Sequence, residues 1–249
     1  MTQTLIFGVP VYAFFAGIGL AISYTNFFSL MIIKGNLEFR KNTIAIVIAL
    51  CGALIGARIL GIISSLIVQW NSVGNISFFD LEGSGLVFYG GLYGFLVTYV
   101  LSLKKQKEEL TRSLPIIVVC IPLFHGFGRV GCFFVGCCFG TELVSYSNYE
   151  IAFFNVSRMP VQLIEAGANL LLFFLLLVFL LKNIFLKFIL SIYLVSYSVI
   201  RFVLEFYRGD VIRGYIGFLS LSQVIAMATI FGAGVYIYLT WRRDSSENL

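Results

Sequence analysis

Arg201-Phe-Val-Leu-Glu205-Phe-Tyr-Arg208 closes an apolar run with ionisable groups at i, i+4 and i+7. That spacing puts all three on one face of a helix. Guanidinium groups fixed by a carboxylate in an apolar setting suit planar, bidentate recognition of phosphate or carboxylate. A structural ion row that only ties helices together is the competing reading. Gln162-Leu-Ile-Glu165-Ala-Gly-Ala-Asn169 carries polar groups at i, i+3 and i+7 ahead of a wholly apolar stretch. It reads either as a second wall of the same site or as interhelical hydrogen bonding. The densest feature is His125-Gly-Phe-Gly128-Arg129-Val-Gly131-Cys132-Phe-Phe-Val-Gly136-Cys137-Cys138-Phe-Gly140. Glycines at this density predict a bend whose backbone N–H groups cradle an anion around Arg129, or a packing joint between helices.

Three of the five cysteines, Cys132, Cys137 and Cys138, fall within seven residues. Their CxxxxCC spacing offers neither a CxxC pair nor a fourth donor, so no metal site and no cofactor are expected. A disulfide from Cys132 to Cys137 or Cys138, inert packing, and a nucleophilic thiolate near Arg129 all stay open.

The elements that hold these residues follow from composition. Of 249 residues, 59% are apolar and 12% charged, with a mean hydropathy of +0.97. Soluble domains carry about twice that share of charge, which excludes one here. The apolar runs lie at roughly 5–33, 43–69, 84–103, 113–127, 161–181, 188–206 and 215–241, with a polar excursion at 141–160. The N-terminal Met1-Thr2-Gln3-Thr4 lacks the positive start of a signal peptide, so the first run is expected to remain a span. The net charge of +5 comes with no basic run or nucleic-acid motif, so nucleic acid is not an expected partner.

Alternate connections hold Lys34, Arg40 and Lys41; Lys104, Lys105, Lys107 and Arg112; Lys182 and Lys187; and Arg242 and Arg243. These make 11 of the 17 basic residues, while the connection 70–83 carries Asp80 and Glu82 and no Lys or Arg. The positive-inside rule then predicts an all-α integral membrane protein. It has seven transmembrane helices in a single polytopic domain, N-terminus outside and C-terminus inside, with a small extracytoplasmic insertion at 141–160. The other six basic residues are all arginine: Arg58, Arg129, Arg158, Arg201, Arg208 and Arg213. Arg158 and Arg213 suit snorkelling to the outer interface. Arg58, mid-span, and Arg129, among glycines, do not, and a buried charge in a membrane marks a functional site by default.

These residues resemble the bacterial prolipoprotein diacylglyceryl transferases. The likeness rests on Gly128-Arg129-Val-Gly131-Cys132 through Gly140, on Arg158-Met-Pro-Val-Gln162-Leu-Ile-Glu165, and on Arg201-Phe-Val-Leu-Glu205-Phe-Tyr-Arg208. Phe88-Tyr89-Gly90-Gly91 and Gly56-Ala-Arg58 add to it. The resemblance implies an enzyme of the bacterial plasma membrane with its active site toward the outer face. It would move the diacylglyceryl group of phosphatidylglycerol to the cysteine thiol of a prolipoprotein signal peptide, releasing glycerol phosphate. Arg129, Arg201, Glu205 and Tyr89 are then expected to be catalytic. Tyr12, Arg58, Gly128, Cys132, Cys137, Gly140, Gln162, Glu165 and Arg208 are expected to bind substrate, alongside surrounding membrane lipids.

Four positions depart from the family pattern. Tyr89 stands for a histidine, Cys132 for an asparagine, Cys137 for a glutamate, and Met159 for a histidine. The departures leave Tyr89, Glu205 and His125 as alternative bases, and they point to a diverged member that uses an anionic glycerolipid, with either the lipobox cysteine or another acceptor. A lipid transporter would show related halves, and no internal repeat is evident. A non-catalytic protein that binds lipid or signal peptide is the third reading.

Overall fold

The computed structural model describes residues 5–35, 38–73, 85–142, 158–209 and 214–247. Its helices are α1 (Val11–Ile33), α2 (Phe39–Val73), α3 (Phe88–Leu103), α4 (Lys107–Val135), α5 (Val161–Leu181), α6 (Ile189–Glu205) and α7 (Leu221–Glu247). Two antiparallel hairpins, β1 (Leu5–Ile6) with β2 (Val9–Pro10) and β3 (Tyr215–Ile216) with β4 (Leu219–Ser220), lead into α1 and α7. All helices but α3 are long and apolar enough to cross a membrane; α3 is apolar but has only 16 residues. Large apolar side chains such as Leu54, Leu171 and Phe231 are exposed on these helices. Helices that are apolar all round belong in lipid, and the chain is an all-α membrane protein.

The helix bounds correct the sequence reading in several places; the expected spans 5–33 and 215–241 open with the two hairpins and turn helical at Val11 and Leu221. In the expected third span, 84–103, residues 85–87 are not helical and the helix begins at Phe88. The expected short span 113–127 and the Gly-rich bend after it are one helix of 29 residues, with Arg129 well inside it. Buried in a membrane, backbone N–H groups must find partners within the chain, and the helix satisfies them where an open bend would not. The arginine row is also shorter than expected. α6 ends at Glu205, and Arg208 lies beyond it in a β-bridge with Gly140. Residues 74–83 of the expected outer loop, 143–157 of the insertion, and Arg213 lie outside the described residues.

The chain divides into two compact units. The first holds residues 1–27, 117–211 and 226–249. In it α4 meets α1 at Gly131, where an added Cβ would lie 3.2 Å from Phe15 Cβ, and meets α5 at Gly126, near Ala166 and Leu170. Three short segments cross at one end of this unit. Gly140 N–H donates to Met159 O (3.2 Å), Thr141 N–H to Tyr207 O (2.9 Å), and Gly209 N–H to Phe139 O (3.0 Å). They lock the end of α4, the start of α5 and the end of α6 together.

The second unit holds residues 28–116 and 212–225. Its centre is α2 against α3, built on Gly52-xxx-Gly56 and Gly90-xxx-Gly94. A Cβ on Gly56 would sit 2.3 Å from Gly90 O, and one on Gly94 would sit 2.2 Å from Gly52 O. Small residues four apart let two membrane helices approach backbone to backbone. At the other end of this pair, buried Asn42 accepts from Tyr99 Oη (2.9 Å) and donates to Glu109, tying α2, α3 and the start of α4.

Candidate active site

In the first unit, five ionisable side chains converge from α4, α5 and α6. Glu165 is the hub, with 1% of its side chain exposed. Its Oε2 lies 3.0 Å from Arg129 Nε and 3.7 Å from Arg201 Nη1; its Oε1 lies 3.7 Å from His125 Nε2 and accepts a 3.4 Å hydrogen bond from Tyr197 Oη. Arg201 Nη2 pairs with Glu205 Oε2 at 2.7 Å. Arg129 Nε also donates to His125 Nε2 at 3.2 Å. Burying two guanidinium groups is tolerable because two carboxylates match them charge for charge within contact distance.

The helices place these groups by periodicity. His125 and Arg129 are one turn apart on α4, and Arg201 and Glu205 are one turn apart on α6. Glu165 lies one turn into α5, and its backbone oxygen accepts from buried Asn169 at 2.8 Å. The two polar stripes seen in the sequence therefore meet each other directly. Arg129 meets both Glu165 (3.0 Å) and His125 (3.2 Å) through its Nε.

Cysteine placement follows from how α4 ends. Gly136, with φ +72°, donates to Phe133 O at 3.1 Å, and Cys137 N–H donates to Cys132 O at 3.1 Å. This is a Schellman cap, which brings the side chains at its third-last helical and second post-helical positions together. Both are cysteine here. Cys138 adopts φ +56°, and the three sulfurs lie within 4.8 Å of one another. All five cysteines are free thiols. Gln162 Nε2 fixes the loop by donating to Cys137 O at 2.7 Å. The Cys138 thiol is held below its ordinary range, chiefly by hydrogen bonds from Cys132 and Cys137, with Arg129 and Arg208 adding positive field.

The other expected site residues separate into groups. Gly128 is buried beside Arg129, with open space where a Cβ would point. Gly140 is required by close approach, since a Cβ there would lie 2.4 Å from Met159 O. Tyr12 is exposed on α1 alongside Gly131, and Arg208 is half-buried. Arg58 (half-buried on α2) and Tyr89 (buried on α3, stacked on Tyr93 at 6.4 Å) belong to the second unit. Arg158, read as a snorkeller, pairs with Glu142 at 2.7 Å and lies 4.2 Å from the Phe139 ring centroid. Tyr197 was not singled out in the sequence. The spacing Tyr193, Tyr197, Arg201, Glu205, a polar group every fourth residue, is the signal that finds it.

Fold and site together define a polytopic α-helical membrane protein with an internally neutralised arginine–carboxylate cluster. The family model for prolipoprotein diacylglyceryl transferase matches residues 2–239, and the chain belongs to that family. It is 31% identical over 197 residues to the phosphatidylglycerol–prolipoprotein diacylglyceryl transferase of Clostridium tetani, covering 77% of each chain. It is 30% identical over 256 residues to a second transferase of that name from Clostridium perfringens, covering 97% of each. With the Finegoldia magna transferase the identity is 31% over 245 residues, 96% of this chain and 94% of the relative.

Proposed function

We propose that this protein is a transferase that moves the diacylglyceryl group of phosphatidylglycerol to the cysteine thiol of a prolipoprotein, releasing glycerol phosphate. Family membership and the names of the relatives support the reaction; one geometric observation supports the site. Arg129 is anchored through Nε by Glu165 and His125 in the buried cluster. A guanidinium so fixed offers two parallel donors to the lipid phosphate and stabilises the charge that grows as the phosphate leaves. Arg201, held by Glu205 and Glu165, adds positive field beside it.

The same proposal gives seven crossings in one polytopic domain of the bacterial plasma membrane, α3 included, with the N-terminus outside and the cluster toward the outer face. The basic count of the connections supports that orientation. Arg58 as a lipid-binding arginine and Tyr89 as a catalytic hydroxyl complete the set of proposed roles.

The test is purified protein with labelled phosphatidylglycerol, with and without a lipobox peptide. Release of glycerol phosphate that requires the peptide and its cysteine is the expected result. Release that requires a different acceptor favours the second reading, which the substitutions at Tyr89, Cys132, Cys137 and Met159 support. No release under any condition overturns the transferase reading.

A further inference from the structure

We propose that Cys132, Cys137 and Cys138 form a three-thiolate site for a zinc ion whose fourth, open position binds the acceptor cysteine; the acceptor half rests on the function proposed above. Zinc takes four tetrahedral ligands at about 2.3 Å from sulfur, and catalytic zinc sites use three protein ligands and leave the fourth position to water or substrate. A tetrahedron of that size has sulfur–sulfur edges of about 3.8 Å. The three Sγ atoms already lie within 4.8 Å of one another, so closing on an ion takes a shift of about 1 Å per edge at most.

The site is built into the backbone. The Schellman cap sets Cys132 against Cys137, and the left-handed conformation of Cys138 turns the third thiol to join them. Gln162 pins the Cys137 carbonyl from α5, and the bridge between Gly140 and Arg208 holds the segment from its other end. One donor is buried and two are half-buried, which leaves an approach for a fourth ligand. A zinc ion with four thiolates carries two net negative charges, and Arg129 and Arg208 act electrostatically on Cys138 from within the same unit.

A zinc ion here would generate the nucleophile. A free thiol with a pKa near 8.5 is mostly protonated at neutral pH, and only the thiolate is a good nucleophile. In the buried cluster Glu165 and Glu205 are both paired with arginine, and His125 Nε2 accepts from Arg129. A thiol that coordinates zinc loses its proton outright. Its sulfur then forms a C–S bond to the glyceryl carbon that carries the phosphate. The C–O bond at that carbon breaks, its electron pair leaves on the phosphate oxygen, and the thiol proton ends on the released glycerol phosphate.

The experiment begins with the metal content of the full-length protein purified in detergent. About one zinc per chain is expected, largely lost in Cys137→Ser and Cys138→Ser and retained in Cys51→Ser. Gln162→Ala should weaken zinc binding by about 10–100-fold, as losing a support for a ligand does. Cobalt-substituted protein gives a thiolate charge-transfer absorption that should gain intensity on adding a cysteine lipobox peptide and stay unchanged with its serine counterpart. This readout uses the unmutated protein and stands even where a cysteine variant does not fold. A disulfide within the triad, copper(I) instead of zinc, or zinc unaffected by the serine variants would overturn the metal site. An unchanged cobalt spectrum, or full transfer by chelated protein, would overturn the acceptor role while leaving the transferase standing. Zinc and peptide binding without lipid turnover would instead overturn the transferase reading alone.

Discussion

Glu165 on α5 accepts Arg129 of α4 at 3.0 Å and lies 3.7 Å from Arg201 of α6, so one carboxylate joins three helices. The arrangement makes Glu165 both a structural keystone and the group that orients the guanidinium proposed to meet the lipid.

Removing that charge should unfold the cluster. Glu165→Gln leaves two buried guanidinium groups facing one remaining carboxylate, and breaking a buried pair from one side costs about 3–5 kcal/mol. We expect a clear fall in thermal stability in detergent, followed by the loss of monodisperse protein on heating. Stability within about 1 kcal/mol of the parent would mean that the arginines are compensated elsewhere.

Arg129→Lys separates charge from geometry. Lysine still pairs with Glu165 but lacks the planar fork. Turnover of phosphatidylglycerol at matched abundance should drop by about 10²–10³, as for the loss of one preorganised donor, with the folded fraction nearly unchanged. Near-normal turnover would reduce Arg129 to a structural ion.

Two neighbouring glycines on the α2–α3 contact should behave differently. Gly56→Ala drives a methyl to 2.3 Å from Gly90 O, where backbone on both sides prevents relaxation, and should cost about 1–3 kcal/mol or more. Gly91→Ala meets Ala53 O and Ala57 Cβ at 3.5 Å, ordinary contact, and should be tolerated. Melting temperatures of the two variants decide the point.

Orientation is open to cysteine labelling in a background lacking the native cysteines. Probes introduced at 70–83 and 141–157 should react with an impermeant reagent from outside, and probes at 104–112 should react only from inside. Outside labelling of 104–112 would reverse the topology and move the arginine cluster to the inner face.

What the sequence makes legible here is charge against an apolar background. Arg129, Arg201, Glu165 and Glu205 stand out because nothing in the orientation count needs them, and all four meet in the structure. Backbone course is harder to read. Gly126, Gly128 and Gly131 signal a break by the habits of soluble proteins, yet in α4 two of them are contact points with α5 and α1. Gly52, Gly56, Gly90 and Gly94 were visible as letters, but which glycine faces which depends on how two helices far apart in sequence pair. The thiol triad was hidden for a related reason. CxxxxCC carries no metal signature as a linear spacing; the helix cap folds it into a cluster of three sulfurs.

The neutral cluster also has a history in synthesis. α4 is made before α5, so Arg129 reaches the membrane with its carboxylate partner not yet translated. An arginine at the centre of an isolated span raises the insertion free energy by about 2.5–3.5 kcal/mol, and Arg129, six residues from the end of α4, carries a smaller part of that cost. Once α5 supplies Glu165 the charge is cancelled, and α6 then arrives with Arg201 and Glu205 already matched one turn apart. The chain therefore becomes lipid-compatible in whole hairpins, α4 with α5 first. Until Glu165 emerges, α4 holds an unmatched guanidinium, and the carboxylate that cancels it arrives with the next helix.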